Sequence, residues 1–364
     1  MQTISQPQDR RTFLKTLATA SAAVMMPGTV RAQQSAAKQR LKLGLDNFSV
    51  RAMGWKAPAL LDYAASLKLD TLLISDLDSY ESLEEKPLQE VHAKAEGLGV
   101  QIHAGTWSIC PTSKAFKNKW GTAEEHLALG IRVAKALGSP VLRCVLGTGE
   151  DRGTPGGIEA RIQDTVRVLK AGRNRAVDAG VKIAVENHAG DMQAWELVQL
   201  IEAAGKDFVG ATMDCGNATW TMEDPFTNLE ILGPHVLSTG IRDSMMWEYE
   251  DGVKVAWTAM GEGLVDWKKY FARYAELCPQ APVNLEIISG FSRPFPYLKD
   301  DYWKVWPKAK AADFSDWLAL AKRGKEIPSH RSADSKAEQD YQQAEVARSV
   351  TFCREKLGLG SRQA

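Results

Sequence analysis

VKIAVENH, residues 181–188, is the stretch whose reading decides the fold. A β-branched apolar run follows Gly180 and stops at a carboxylate, an amide and an imidazole: Glu186, Asn187 and His188. Such a short run reads as a strand buried on both faces of a parallel sheet, and polar groups gathered at its carboxyl end read as a site. The plainer reading, a strand re-entering solvent, is countered by two later runs that end in the same fashion. Residues 208–213 lead into Asp214, and residues 282–288 carry Glu286.

Outward from that stretch, apolar strands and amphipathic helices alternate eight times. The strands are expected at 41–48, 71–75, 100–103, 140–146, 181–188, 208–213, 235–241 and 282–288. The helices are expected near 58–67, 83–98, 123–137, 157–179, 191–204, 225–232, 266–277 and 313–323. Gly99, Gly138 and Gly180 each fall between a helix and the next strand, where glycine tolerates the left-handed turn that ends a helix. Eight β/α units predict an α/β fold, a (β/α)8 TIM barrel over 41–324, because each crossover is long enough for a right-handed helical return. A doubly wound open sheet is the alternative, but no GxGxxG follows the first strand. Residues 325–364 read as a polar linker and a C-terminal helical extension, its helix over 340–357 packed across the barrel wall.

Residues 1–32 stand apart from the fold, and 33–40 form a linker. DRRTFLK, residues 9–15, precedes a modest apolar run and a small-residue cleavage pattern, and it resembles the twin-arginine export signal. The resemblance implies passage through the twin-arginine machinery, already folded, into the periplasm. The apolar run is too short and too rich in Ala, Ser and Thr to be a permanent membrane span. The whole chain carries 45 basic and 45 acidic residues; without Arg10, Arg11, Lys15, Arg31 and Asp9 it has 41 and 44. A weakly acidic protein is a poor partner for nucleic acid. Five cysteines without CxxC spacing read as scattered core residues.

A barrel places its active site where the strands end. The strand ends offer Asp46 and Asn47, Asp76, His103 with Trp107, Arg143, Glu186 with His188, Asp214 with Asn217, Arg242 with Asp243, and Glu286. Glu186, Asp214 and Glu286 fall on one arc, where strands about 4.8 Å apart crowd three like charges together. A divalent cation between them relieves the repulsion, and hard oxygen donors favour Mg²⁺ or Mn²⁺ over Zn²⁺. The alternative is that these acids pair with Arg143, Arg242 or Arg152.

VENH at 185–188, MDCGN at 213–217, STGIRDS at 238–244 and NLEI at 284–287 resemble the xylose isomerase-like TIM barrels. That group holds the sugar phosphate isomerases and epimerases and AP endonuclease family 2. The resemblance implies Glu186, Asp214 and Glu286 as ligands of one divalent metal, with Glu186 and Glu286 also exchanging protons with substrate. His188 and Arg242 would hold sugar oxygens. His103, Trp107, Arg143, Asn217, Asp243 and Trp257 complete the expected substrate-facing set. The chain departs from the family pattern at Gly240, where the family carries its ligand histidine. Three carboxylates with water, Asp243 or a substrate oxygen would then complete the shell, or metal binding has been lost.

Eight of the eleven tryptophans, Trp55, Trp107, Trp120, Trp220, Trp247, Trp257, Trp303 and Trp306, fall in the expected βα loops, which suits a floor for a sugar ring. Residues 289–312 are long and aromatic enough for a lid; a plug or a contact in a homo-oligomer is the alternative. The expected function is a sugar isomerase or epimerase that takes a proton from the carbon next to a carbonyl through an enediolate. With a leaving group beta to that carbon, the same site acts as a lyase or hydratase. Export favours a free sugar, keto-sugar or glycoside over a sugar phosphate. A non-catalytic sugar-binding barrel is the competing class. Six scattered histidines argue against an endonuclease-type metal cluster.

Overall fold

A computed structural model describes residues 40–362 of the chain; the export signal expected at 1–32 lies outside them. Eight parallel strands form the barrel: β1 (Leu43–Asp46), β2 (Thr71–Ile74), β3 (Gln101–Ser108), β4 (Val141–Val145), β5 (Lys182–Glu186), β6 (Val209–Asp214), β7 (Val236–Gly240) and β10 (Val283–Leu285). Strands β1 to β7 pair in chain order, and β1 also pairs with β10. Ile241 closes the last seam, its N–H donating to Asn284 O at 2.7 Å while its carbonyl accepts from Glu286 N at 3.0 Å. Apart from the ends of β3, β5 and β7, the barrel strands are buried throughout, which is why they are apolar runs rather than alternating ones.

Helices α1 (Ala57–Ser66), α2 (Glu85–Leu98), α3 (Ala123–Ala136), α4 (Gly157–Ala179), α5 (Ala194–Ala204), α7 (Pro225–Leu232) and α8 (Trp267–Leu277) surround it, with a one-turn α6 (Cys215–Ala218) directly after β6, whereas α9 (Ala311–Ala321), expected as the eighth barrel helix, buries Trp317, Leu320 and Ala321 in a separate apolar cluster. Gly99 and Gly180 cap α2 and α4 with φ of 66° and 68°, as the sequence predicts. The last helix, α10 (Ser335–Leu357), begins before the expected 340 and packs across the turn that follows β1. Gln342 Oε1 accepts from Ala52 N at 3.0 Å, and Ser349 Oγ accepts from Met260 N at 3.0 Å. All five cysteines are buried. No helix among the described residues is long and apolar enough to cross a membrane.

Two differences from the sequence reading bear on the site. β3 runs on to Ser108, so Trp107 lies in the strand rather than in a loop. Between β7 and α8 the chain forms a hairpin, β8 (Asp243–Tyr249) and β9 (Gly252–Thr258), and β11 (Ser292–Phe295) adds antiparallel to β9. The stretch expected as a free lid is therefore partly the edge strand of a three-stranded sheet. That sheet has its own apolar cluster, in which Trp220, Trp257, Phe295, Trp306 and Trp317 pack together.

Candidate active site

β5 and β6 end in Glu186 and Asp214, and Glu286 directly follows β10. Glu186, Asp214 and Glu286 are buried, with at least one carboxylate oxygen of each within 4.8 Å of the others. Asp214 ends β6 and caps α6, its Oδ1 accepting from Asn217 N at 2.8 Å. Asn187 fixes the neighbouring backbone, its Oδ1 accepting from Asp214 N at 2.9 Å and its Nδ2 donating to Asp214 O at 2.8 Å. Asn217 Nδ2 donates to Asp214 Oδ2 at 2.7 Å and to Glu186 Oε1 at 3.3 Å, which ties two of the acids together. Its Oδ1 is buried without a partner.

Two guanidinium groups answer the three carboxylates. Arg143 Nε donates to Glu186 Oε2 at 2.5 Å, and its Nη1 donates to Thr106 O at 3.1 Å. Arg242 Nη2 donates to both Asp214 Oδ2 and Glu286 Oε2, so one nitrogen bridges the other two acids. Burial opposes the charge of each arginine, and the adjacent carboxylates outweigh it, which raises both pKa values above the ordinary one. Burial also drives the Asp214 carboxyl well up; Arg242 pulls it down, and Glu286 and Glu186 push it up again.

Asp46, at the end of β1, extends this cluster. Burial and then Glu286 push its carboxyl up to about 8, against the pull of Arg143. Its Oδ1 accepts from Phe48 N at 2.8 Å and from Ser75 Oγ at 2.9 Å. A pocket lined by Asn47, Arg51, Trp55, Ser75 and Asp76 opens at this side of the mouth.

His188 is half-buried beside Trp107, with the rings edge to face at 5.2 Å. Its Nδ1 lies 2.7 Å from Gly147 O, so that nitrogen carries the proton and Nε2 is left as an acceptor. Burial and then Arg143 lower its pKa to about 4, which keeps the ring neutral near pH 7. Asp191 holds this loop, accepting from His188 N at 2.8 Å and from Gly147 N at 3.2 Å.

Three residues expected to face substrate are otherwise engaged. His103 lies inside the barrel, its Nδ1 2.9 Å from Ser238 Oγ, in a chain that continues through Asn284 to Thr71. Asp243 accepts from Ser244, Gly261, Gly263 and Val265 N–H groups and from Trp267 Nε1 at 2.7 Å, so both its oxygens are spent on loop structure. Trp257 offers no open face: Arg242 lies 4.1 Å over one side and Trp220 stacks at 3.9 Å on the other. Arg293 covers the far side of Trp220 at 4.6 Å. The four-layer stack Arg242–Trp257–Trp220–Arg293 is a wall, not a floor for a sugar ring.

The carboxylates form a candidate acidic metal triad, yet the surrounding groups do not fit a divalent ion. The centre between Asp214 and Glu286 holds Arg242 Nη2, and a guanidinium repels a second cation placed in the same hole. Gly240 supplies no donor. An ion at this centre would first have to displace the guanidinium.

The chain belongs to the xylose isomerase-like TIM barrel family, whose model matches residues 61–298. Among curated proteins it is similar to the 3-oxo-isoapionate decarboxylase of Pectobacterium atrosepticum, 20% identical over 211 residues that make up 57% of this chain and 69% of that protein. Its fold is similar to that of D-psicose 3-epimerase from Clostridium cellulolyticum, crystallised with D-tagatose, with a TM-score of 0.54, 15% identity, and coverage of 85% of this chain and 98% of that one. It is likewise similar to the IolI protein crystallised with a zinc atom, at a TM-score of 0.55, 13% identity, and coverage of 85% and 98%.

Proposed function

We propose that this chain is a sugar-modifying enzyme of the isomerase/epimerase kind, acting on a free sugar, keto-sugar or glycoside by proton transfer next to a carbonyl. The observation that carries this reading is a buried set of three carboxylates backed by two guanidinium groups, with a neutral imidazole nearby. A C–H beside a carbonyl is a weak acid, so its removal needs a positioned base and a cation for the oxygen that becomes negative. Glu186 and Glu286 are assigned as the groups that take and return the proton. The Arg143 and Arg242 N–H groups are assigned to stabilise charge on an enediolate oxygen, and His188 Nε2 is assigned as the acceptor for a sugar hydroxyl. The relative named 3-oxo-isoapionate decarboxylase supports a sugar-modifying enzyme, and the fold is shared with a protein named D-psicose 3-epimerase.

A lyase or decarboxylase is the second reading. Loss of CO₂ from a 3-oxo acid leaves the same kind of enolate, and the decarboxylase relative favours it. Incubation with keto-sugars, glycosides and 3-oxo sugar acids in D₂O distinguishes the two. Deuterium appearing beside the carbonyl of recovered sugar, lost in both Glu186→Gln and Glu286→Gln, is the expected result. Release of CO₂ points to the second reading. Binding of sugar with no exchange and no product in any case points to a non-catalytic barrel. The chain is also assigned to the periplasm through its twin-arginine signal; replacing Arg10 and Arg11 with Lys should retain it in the cytoplasm, as fractionation would show.

A further inference from the structure

We propose that Arg242 is the resident cation of this site, a built-in guanidinium that takes the place of a divalent ion. The inference rests on the sugar-enzyme reading only for its purpose; the geometry behind it stands alone.

Three observations place Arg242 there by construction rather than by accident of surface charge. The first is contact: Nη2 donates to Asp214 and Glu286 together, the position from which one ion would serve both. The second is space. A Cβ at Gly216 would lie 2.3 Å from Arg242 Cγ and 2.6 Å from Cδ, so only glycine there lets the stem pass. A Cβ at Gly240 would point at the acids, 3.0 Å from Glu286 Oε2 and 3.3 Å from Asp214 Oδ2, so any longer side chain at 240 would compete with the guanidinium. The third is support: the guanidinium carbon lies over the Trp257 ring, 4.1 Å from its centroid, and that ring is itself fixed by its Nε1, which donates to Gly216 O at 3.0 Å.

The charge balance differs from that of a metal site. Two guanidinium groups face three carboxylates, Arg143 meeting Glu186 and Arg242 shared between Asp214 and Glu286. Unlike a bound ion, this cation is covalently part of the chain and cannot be removed by a chelator.

The test is a Mn²⁺ titration of the full chain, stripped with EDTA and followed by electron paramagnetic resonance, with no sugar present. Wild type should show no saturable Mn²⁺ site. Arg242→Met, and more strongly Gly240→His combined with Arg242→Met, should take up one Mn²⁺ per chain and gain thermal stability from it. Arg242→Lys keeps a cation among the acids and should still exclude Mn²⁺, which covers the case in which the methionine variants do not fold. One saturable Mn²⁺ in wild type, abolished by Asp214→Asn, would overturn the proposal. So would folded methionine variants that bind none, or a lysine variant that binds one. In a separate incubation with sugar in D₂O, exchange that requires Mn²⁺ would sink this inference and leave the proposed function standing; a wild type that binds no Mn²⁺ and shows no exchange with or without it would sink the proposed function and leave this inference standing.

Discussion

Gly216 lies flush against the stem of Arg242, close enough that a single added methyl would overlap two of its methylenes. Strand β6 ends in Asp214 and the chain turns at once into α6, so the backbone at 216 forms the wall along which Arg242 reaches the acids. Gly216→Ala should push the guanidinium off Asp214 and Glu286. Overpacking of this kind costs about 1–3 kcal/mol, and here it also leaves buried acids poorly paired. Denaturant unfolding should show a loss at or above the upper end of that range. A loss below about 0.5 kcal/mol, within the range of an ordinary surface substitution, would mean the stem has room to move.

Arg143 and Glu186 form a buried pair on the neighbouring strands β4 and β5, with side chains 4% and 2% exposed. Breaking such a pair from one side strands a buried charge and typically costs about 3–5 kcal/mol. Arg143→Met should fall in that range, whereas Arg143→Met with Glu186→Gln should recover most of the stability, because no charge is left unanswered. A double-mutant cycle in urea checks this; additive losses would show that Glu186 is neutralised by something other than Arg143.

Asp243 is the chain's most heavily used acceptor in the β7–α8 connection, taking four backbone N–H groups and the Trp267 indole. Asp243→Ala leaves those donors without their acceptor, at about 1–3 kcal/mol for each one that water cannot reach, which includes the buried Ser244 N–H and Trp267 indole. The variant should be strongly destabilised, with rapid amide exchange at Gly261 and Gly263. A substrate-binding role alone would instead leave stability and exchange near wild type.

The barrel was legible because each of its strands is a short apolar run with a polar residue at its end, and eight such runs recur between helices. Glu186, Asp214 and Glu286 were legible for the same reason: a strand end fixes where a side chain must be. The hairpin β8–β9 is not legible in the same way: Asp251-Gly252 is a turn signal between alternating residues, but eight β/α units account for the chain without it and the span reads as a long loop. Arg242, Asp243 and Trp257 show the other boundary. Their place near the mouth could be read, but whether a guanidinium meets acids, a carboxylate meets backbone or an indole shows a free face depends on contacts between segments distant in sequence. Asp46 belongs with them, a strand-end acid whose part in the cluster comes from Glu286 and Arg143 beside it.

His103 provides the pH prediction. Burial, and then the charge of Lys42, lower its pKa to about 4, while an unfolded histidine titrates near 6.5. Above about pH 6.5 neither state binds the proton and the group has no effect on the slope. Between about 6.5 and 4 the unfolded chain binds it and the folded chain does not, so stability falls as the pH is lowered, by about 1.4 kcal/mol per pH unit at most from this one site. His103→Gln can still meet Ser238 but binds no proton, and its urea-derived stability should fall less steeply than wild type between pH 6.5 and 4.5. Identical slopes would mean that His103 takes up its proton in the folded barrel. The ring nitrogens of His103 and His188 should accordingly report neutral imidazole at pH 5.5 by nuclear magnetic resonance, and for His188 that neutrality leaves Nε2 free to accept a hydrogen bond.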